Sequence, residues 1–180
     1  VTIAVDPDQA TDFSLALRIP AWCRAAEVVL NGELVDIEPL MDKGYAKIRR
    51  VWQPGDEVRL RLPMRALRVE AHPAVRADCG RIALHRGPLI YCLEEVDNGA
   101  NLRDVRLPDD AELQVAFDES LLGGVAVISG EAERRDLSGW KDRLYRPGPS
   151  ATSTVALRAI PYYAWSNRTP GGMLVWIRQS

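Results

Sequence analysis

Apolar and polar residues alternate with a period of two along most of this chain. In DFSLALRIP, Phe13, Leu15, Leu17 and Ile19 share one face of an extended strand, and Ser14, Ala16 and Arg18 share the other. EVVLNGELV predicts two short strands around Asn31-Gly32, a strong hairpin signal. YAKIRRVW and DEVRLRL flank Gln53-Pro54-Gly55, where Pro suits the first central position of a tight turn and Gly the second. In the latter segment Val58, Leu60 and Leu62 point inward while Arg59 and Arg61 point out.

The alternation loosens from Pro63 to Gly80, and the boundary between two domains is placed there, giving residues 1–72 and 73–180. Strands resume at 81–85, 89–94, 111–117, 124–129, 152–160 and 172–178. ESLLGG predicts one helical turn stopped by Gly123-Gly124. EAERRDLSGWKDRLYRPGPSATS is polar and too long for a tight turn, so it reads as a surface excursion. No window supports a long amphipathic helix. Many short strands with turn signals between them predict an all-β chain with little helix, built as two small antiparallel β-sandwiches in tandem.

Composition changes this picture little. The 180 residues are 47% hydrophobic and 27% charged, as in ordinary globular proteins, with a net charge of −2. No basic block marks a nucleic-acid partner, and no apolar run is long enough to span a membrane. VTIAVDPDQA has neither the basic start nor the apolar stretch of a secretory signal, and a cytoplasmic setting is the expectation. Cys23, Cys79 and Cys92 are odd in number and irregularly spaced, which favours free thiols over a disulfide framework.

Candidate chemistry is sparse. RIALHRGPLIYCLEEVDN gathers a His, a Cys and several carboxylates, yet its Cys and His spacing fits no metal template. Alternation buries Cys92, and burial makes a thiol inert. Glu94, Glu95 and Asp97 read as a solvated rim where a strand enters a loop. Asn167-Arg168-Thr169 matches a glycosylation pattern, but Pro170 follows directly and argues against modification. PYYAW carries more weight. Pro161 ends a strand, and Tyr162, Tyr163 and Trp165 follow without clean alternation, so at least one ring lies outside the core. With Asn167 and Arg168 they form the candidate domain-contact or sugar-contact surface. A plug of aromatics at one end of a sandwich is the competing reading.

GRIALHRGPLIYCLEEVDN resembles a segment of the bacterial glycoside hydrolase family 127, the β-L-arabinofuranosidase family. LRIPAWC, LNGE, GYAKIRRVWQPGDEVRLRLPM, FDESLLGGVAVISGEA and AIPYYAWSNRTPGGMLVWIR resemble other family segments in the same order. The resemblance implies the later part of a middle β-sandwich followed by a C-terminal β-sandwich. It places the active site in a preceding (α/α)6 barrel, where a Cys nucleophile, held on zinc by further Cys and Glu ligands, works with a Glu acid/base. The family's adjacent cysteine pair is missing here, so no catalytic or metal role passes to Cys23, Cys79 or Cys92, and zinc is expected only in the barrel. RIALHRGPLIYCLEEVDN then becomes a core strand pair with a tight Gly87-Pro88 connection. The implied role is a non-catalytic accessory region that supports the barrel of the same polypeptide. It would meet carbohydrate through that parent and contribute to a homodimer contact. The alternative is an autonomous carbohydrate-binding module.

Overall fold

In the computed structural model, residues 1–141 and 143–179 are described. The chain divides into two compact units, Val1–Met64 and Arg65–Ser180.

The first unit holds β1 (Thr2–Val5), β2 (Thr11–Arg18), β3 (Glu27–Leu30), β4 (Glu33–Val35), β5 (Met41–Asp42), β6 (Tyr45–Trp52) and β7 (Asp56–Arg61). They form two antiparallel sheets, ordered β1-β7-β3-β4 and β2-β6-β5. The period-two faces meet between them: Leu17 and Ile19 pack with Val28, Ala46, Trp52, Val58 and Leu60. Burying these side chains is what drives the two sheets together. Asn31-Gly32 makes the expected β3–β4 hairpin with both residues at positive φ, 50° and 89°. The Asn31 carboxamide also ties the turn to β7, donating to the Asp56 carboxylate at 2.7 Å and accepting from the Glu57 amide at 2.8 Å. The Gln53–Asp56 turn closes as expected, with Asp56 N donating to Gln53 O at 3.1 Å and Gly55 at φ 87°. It does not make a hairpin. Trp52 and Asp56 must both point into the core, so the turn carries the chain from one sheet to the other.

The second unit contains β8 (Ala66–Glu70), β9 (Arg81–Arg86), β10 (Leu89–Glu94), the single helical turn α1 (Glu95–Asn98), β11 (Val105–Leu107) and β12 (Leu113–Asp118). It continues with β13 (Val125–Arg135), β14 (Thr152–Pro161), β15 (Met173–Leu174) and β16 (Ile177–Gln179). These nine strands share one sheet, antiparallel except for β11 beside β16. The ladder β9–β10–β14–β13–β11–β16 returns to β9, so the sheet closes on itself. Alternation assigns its two faces to different clusters. Tyr91, Leu93, Ile128, Leu157 and Ala159 pack with Ile82, Leu84, Leu107 and Ile177. Cys92, Val125, Val127 and Ile160 pack on the other face with Ala164.

The β9–β10 pair crosses Gly87-Pro88 as expected, with Gly87 at φ 60°. Three features depart from the expectations of the sequence. β8, inside the loosened stretch, pairs along β9 from Ala66↔Arg86 to Glu70↔Ile82, so a division at 72/73 would separate a strand from its neighbour. ESLLGG makes no helical turn; Leu122 and Gly123 take φ 51° and 81°, and Gly124 N donates to Leu121 O at 2.8 Å in a tight β12–β13 connection. β13 runs to Arg135 and β14 begins at Thr152, which shortens the polar excursion to residues 136–151.

Candidate functional site

The site grows from the end of β14. After Pro161 the chain makes a single 3-10 turn, Tyr162–Ala164, closed by Trp165 N donating to Tyr162 O at 3.1 Å. Ala164 is small enough to seat in the Cys92–Ile160 cluster, and that anchor turns its aromatic neighbours outward. Tyr162, Tyr163 and Trp165 are 46%, 63% and 38% exposed. The Tyr162 and Trp165 rings lie 5.8 Å apart with planes inclined by 38°. Tyr163 lines an open hollow of about 380 Å³ with Leu122, Val125, Ala164 and Asn167. The Asn167 side chain turns its amide back, donating to Ala164 O and Trp165 O.

Arg168 behaves differently from its neighbours. Its side chain is only 15% exposed and runs inward to two carboxylates. Nη2 donates to Glu94 Oε2 and Asp97 Oδ2, each at 2.5 Å, and Nη1 donates to Asp97 Oδ1 at 2.9 Å. Glu94 also accepts from Ser166 N at 3.1 Å. Hydrogen bonds donated to Asp97, then to Glu94, with the charges of both, raise the Arg168 pKa above its ordinary value against the cost of burial. Glu94 and Asp97 are therefore not a solvated rim. Their side chains are 6% and 9% exposed, because Glu94 lies on the Cys92 face of β10, opposite Tyr91 and Leu93, and Arg168 rests against both carboxylates.

The frame extends further. Arg158 pairs with Asp118 and approaches Asp97. The Asn98 carboxamide takes the place of a neighbouring strand for Arg158, donating to its carbonyl at 2.8 Å and accepting from its amide at 2.9 Å. Glu95 receives the Gly172 amide at 2.8 Å, and a side chain at Gly172 would stand about 3.0 Å from that carboxylate. The loop that follows Tyr162 is thus pinned through Arg168 and Gly172 to α1 and the end of β10.

This arrangement positions a loop. Both Glu94 oxygens are engaged, Oε1 by Ser166 N and Oε2 by Arg168 Nη2. Burial, reinforced by the Glu94 charge, pushes the Cys92 thiol up to about 12, far from a nucleophilic thiolate near neutrality. Cys23 is buried and Cys79 exposed, both free. Among the described residues no group of three or more His, Cys, Asp or Glu side chains is placed to hold a metal ion. The Glu94–Arg168 pairing joins residues 74 apart in the chain, and the local pattern does not announce it. One signal for it is present in the sequence: the alternation that buries Cys92 places Glu94 on the same face, and a buried carboxylate calls for a cationic partner.

Residues 1–64 match the family model described as the GH127 middle domain of β-L-arabinofuranosidase, and residues 66–178 match that of the glycoside hydrolase family 127 C-terminal domain. The chain belongs to glycoside hydrolase family 127. A relative in that family, a non-reducing end β-L-arabinofuranosidase of Bifidobacterium longum subsp. longum, is 38% identical over 183 aligned positions, covering 96% of this chain and 27% of that protein. The crystal structure of a GH127 β-L-arabinofuranosidase from Geobacillus stearothermophilus T6 superposes with a TM-score of 0.96 at 58% identity, covering 99% of this chain and 28% of the other. A GH127 β-arabinofuranosidase of known structure superposes at 0.83 with 32% identity, covering 99% and 30%. The chain therefore spans less than a third of the length of these family 127 relatives, as their middle and C-terminal domains.

Proposed function

We propose that this chain is the non-catalytic accessory region of a bacterial β-L-arabinofuranosidase-like glycoside hydrolase. Its two β domains brace a catalytic domain elsewhere in the same polypeptide. The observation that carries the reading is the aromatic loop on its buried ionic frame. Exposed Tyr162, Tyr163 and Trp165 stand on a segment held by Arg168, Glu94 and Asp97, the build of a preorganised contact surface with an apolar centre and polar edge. Each ring can cover on the order of 150–250 Å² of a partner. In this reading Asn167 shapes the loop edge and Arg168 fixes its position, while the zinc chemistry implied by the family resemblance resides in the other domain.

A carbohydrate-binding module would favour coplanar rings able to stack along a sugar chain. The 38° inclination between Tyr162 and Trp165 argues for packing against a protein surface instead. The test is to incubate the purified chain with an aryl β-L-arabinofuranoside and measure aryl release. No turnover above buffer is expected, and turnover lost on Cys92→Ser would overturn the accessory role.

A further inference from the structure

A second polar feature lies on the same unit, away from the aromatic loop and independent of any bracing role. The register sets Arg106 beside Arg178 across β11 and β16, and Arg178 beside Arg81 across β16 and β9. Neighbouring strands are about 4.8 Å apart, so three guanidinium side chains leave one face of the sheet in a row. Their chain neighbours Val105, Leu107, Ile177 and Ile82 all point into the core, so the row faces outward. Together the three line an open hollow of about 330 Å³ with Cys79, Gly80 and Gln179. Arg106 also borders an adjoining hollow of about 260 Å³ with Arg135 and Trp140.

Like charges set side by side across strands destabilise a sheet, and among the described residues this row is poorly compensated. Glu133 stands across from Arg106, and Glu70 and Asp78 line a neighbouring hollow with Arg81. Among the described residues, no carboxylate comes within ion-pairing distance of Arg81, Arg106, Arg135 or Arg178. Burial, then Arg135, Arg106 and Arg81, lowers the Arg178 pKa, which Asp104 only partly offsets. The Trp140 Nε1–H is buried with no acceptor among the described residues. The Trp140 side chain lines the same hollow as two of the arginines.

We propose that Arg81, Arg106, Arg135 and Arg178, with Trp140 at their edge, form a binding site for a compact oxyanion. Guanidinium groups match carboxylate and phosphate oxygens with paired hydrogen bonds, and an oxyanion in the row would relieve the crowding of positive charge. Such an anion has two chemical sources, inorganic phosphate and the carboxylate of an acidic sugar. The indole favours the second, since Trp140, with Arg146 over its ring at 5.5 Å, adds apolar lining beside the charges.

The experiment follows the thermal unfolding midpoint of the purified chain at constant ionic strength, with chloride replaced stepwise by phosphate or by glucuronate and with glucose as a neutral control. A binding site raises the midpoint saturably. Saturation by phosphate alone identifies a free-anion site. Saturation by glucuronate that Trp140→Ala weakens identifies a sugar-acid site. In either case the R106Q/R178Q variant should lose the increment, while its anion-free midpoint equals or exceeds that of the unaltered chain. R135Q, which removes one guanidinium from the border, should raise the half-saturating concentration roughly tenfold, and it carries the test if the double variant fails to fold. No saturable rise in the unaltered chain overturns the proposal, as does an equal rise in R106Q/R178Q or, where that variant does not fold, an unchanged half-saturation in R135Q.

Discussion

Arg168 shows how one side chain decides whether buried charge is tolerable. Glu94 and Asp97 lie under the aromatic loop, and one guanidinium answers both. Removing it leaves carboxylates that must recruit water or protons, whereas conserving its charge keeps most of the compensation. Arg168→Leu should therefore cost about 2–4 kcal/mol in urea unfolding, and Arg168→Lys clearly less, because a lysine restores charge without the paired geometry. A loss below about 0.5 kcal/mol for Arg168→Leu would mean that water already serves the carboxylates. Thiol chemistry follows a similar logic. Cys79 is exposed, while Cys23 and Cys92 are buried. Titration of the native protein should find one fast thiol, titration in denaturant three, and elemental analysis of dialysed protein no stoichiometric zinc. The Cys92 thiol is raised from 9.0 to about 12, so the unfolded chain gives up its proton at lower pH than the folded one. Its contribution to stability is complete below pH 9 and declines as pH rises from 9 toward 12. Cys92→Ala should flatten that stretch of the stability–pH curve; an unchanged slope would assign it to other groups.

At the scale of elements, the two tryptophans Trp52 and Trp165 make opposite predictions. Trp52 is fully buried on β6, stacked on Phe13 at 5.7 Å, with its indole N–H donating to Phe13 O. Trp165 keeps over a third of its surface in water and rests on Tyr162. Trp52→Ala should cost about 3–5 kcal/mol, and Trp165→Ala less than about 1 kcal/mol. A large loss for Trp165→Ala would place the loop within the core. Strands with clean alternation are legible because burying one face imposes the period, as in DFSLALRIP and DEVRLRL. β8 is not legible: Leu67 and Val69 are both substantially exposed, so ALRVE shows no buried stripe that would mark a strand. The β11 strand is three residues long, too short to show a period.

Over the whole molecule, local pattern identifies the all-β class and most strands, but partners distant in sequence decide how they assemble. Nothing in RIALHR or VWIRQ announces that β9 and β16 pair, or that this pairing closes the sheet through β11. The Glu94–Arg168 frame is hidden for the same reason. Domain organisation is where this has the most direct consequence. The chain divides after Met64, and β8 pairs with β9 over five residues while Ala66 packs on the second unit's core. A fragment of residues 65–180 keeps that strand and should unfold in one cooperative transition. A fragment of residues 73–180 loses it and bares the outer edge of β9. Each ladder hydrogen bond lost removes about 1 kcal/mol net, and the exposed edge offers its free N–H and C=O groups to other chains. The shorter fragment should therefore show a clearly lower urea midpoint and a greater tendency to self-associate in sedimentation velocity. Equal midpoints for the two fragments would show that β8 only decorates the sheet, and that the second domain's boundary could lie as late as residue 73.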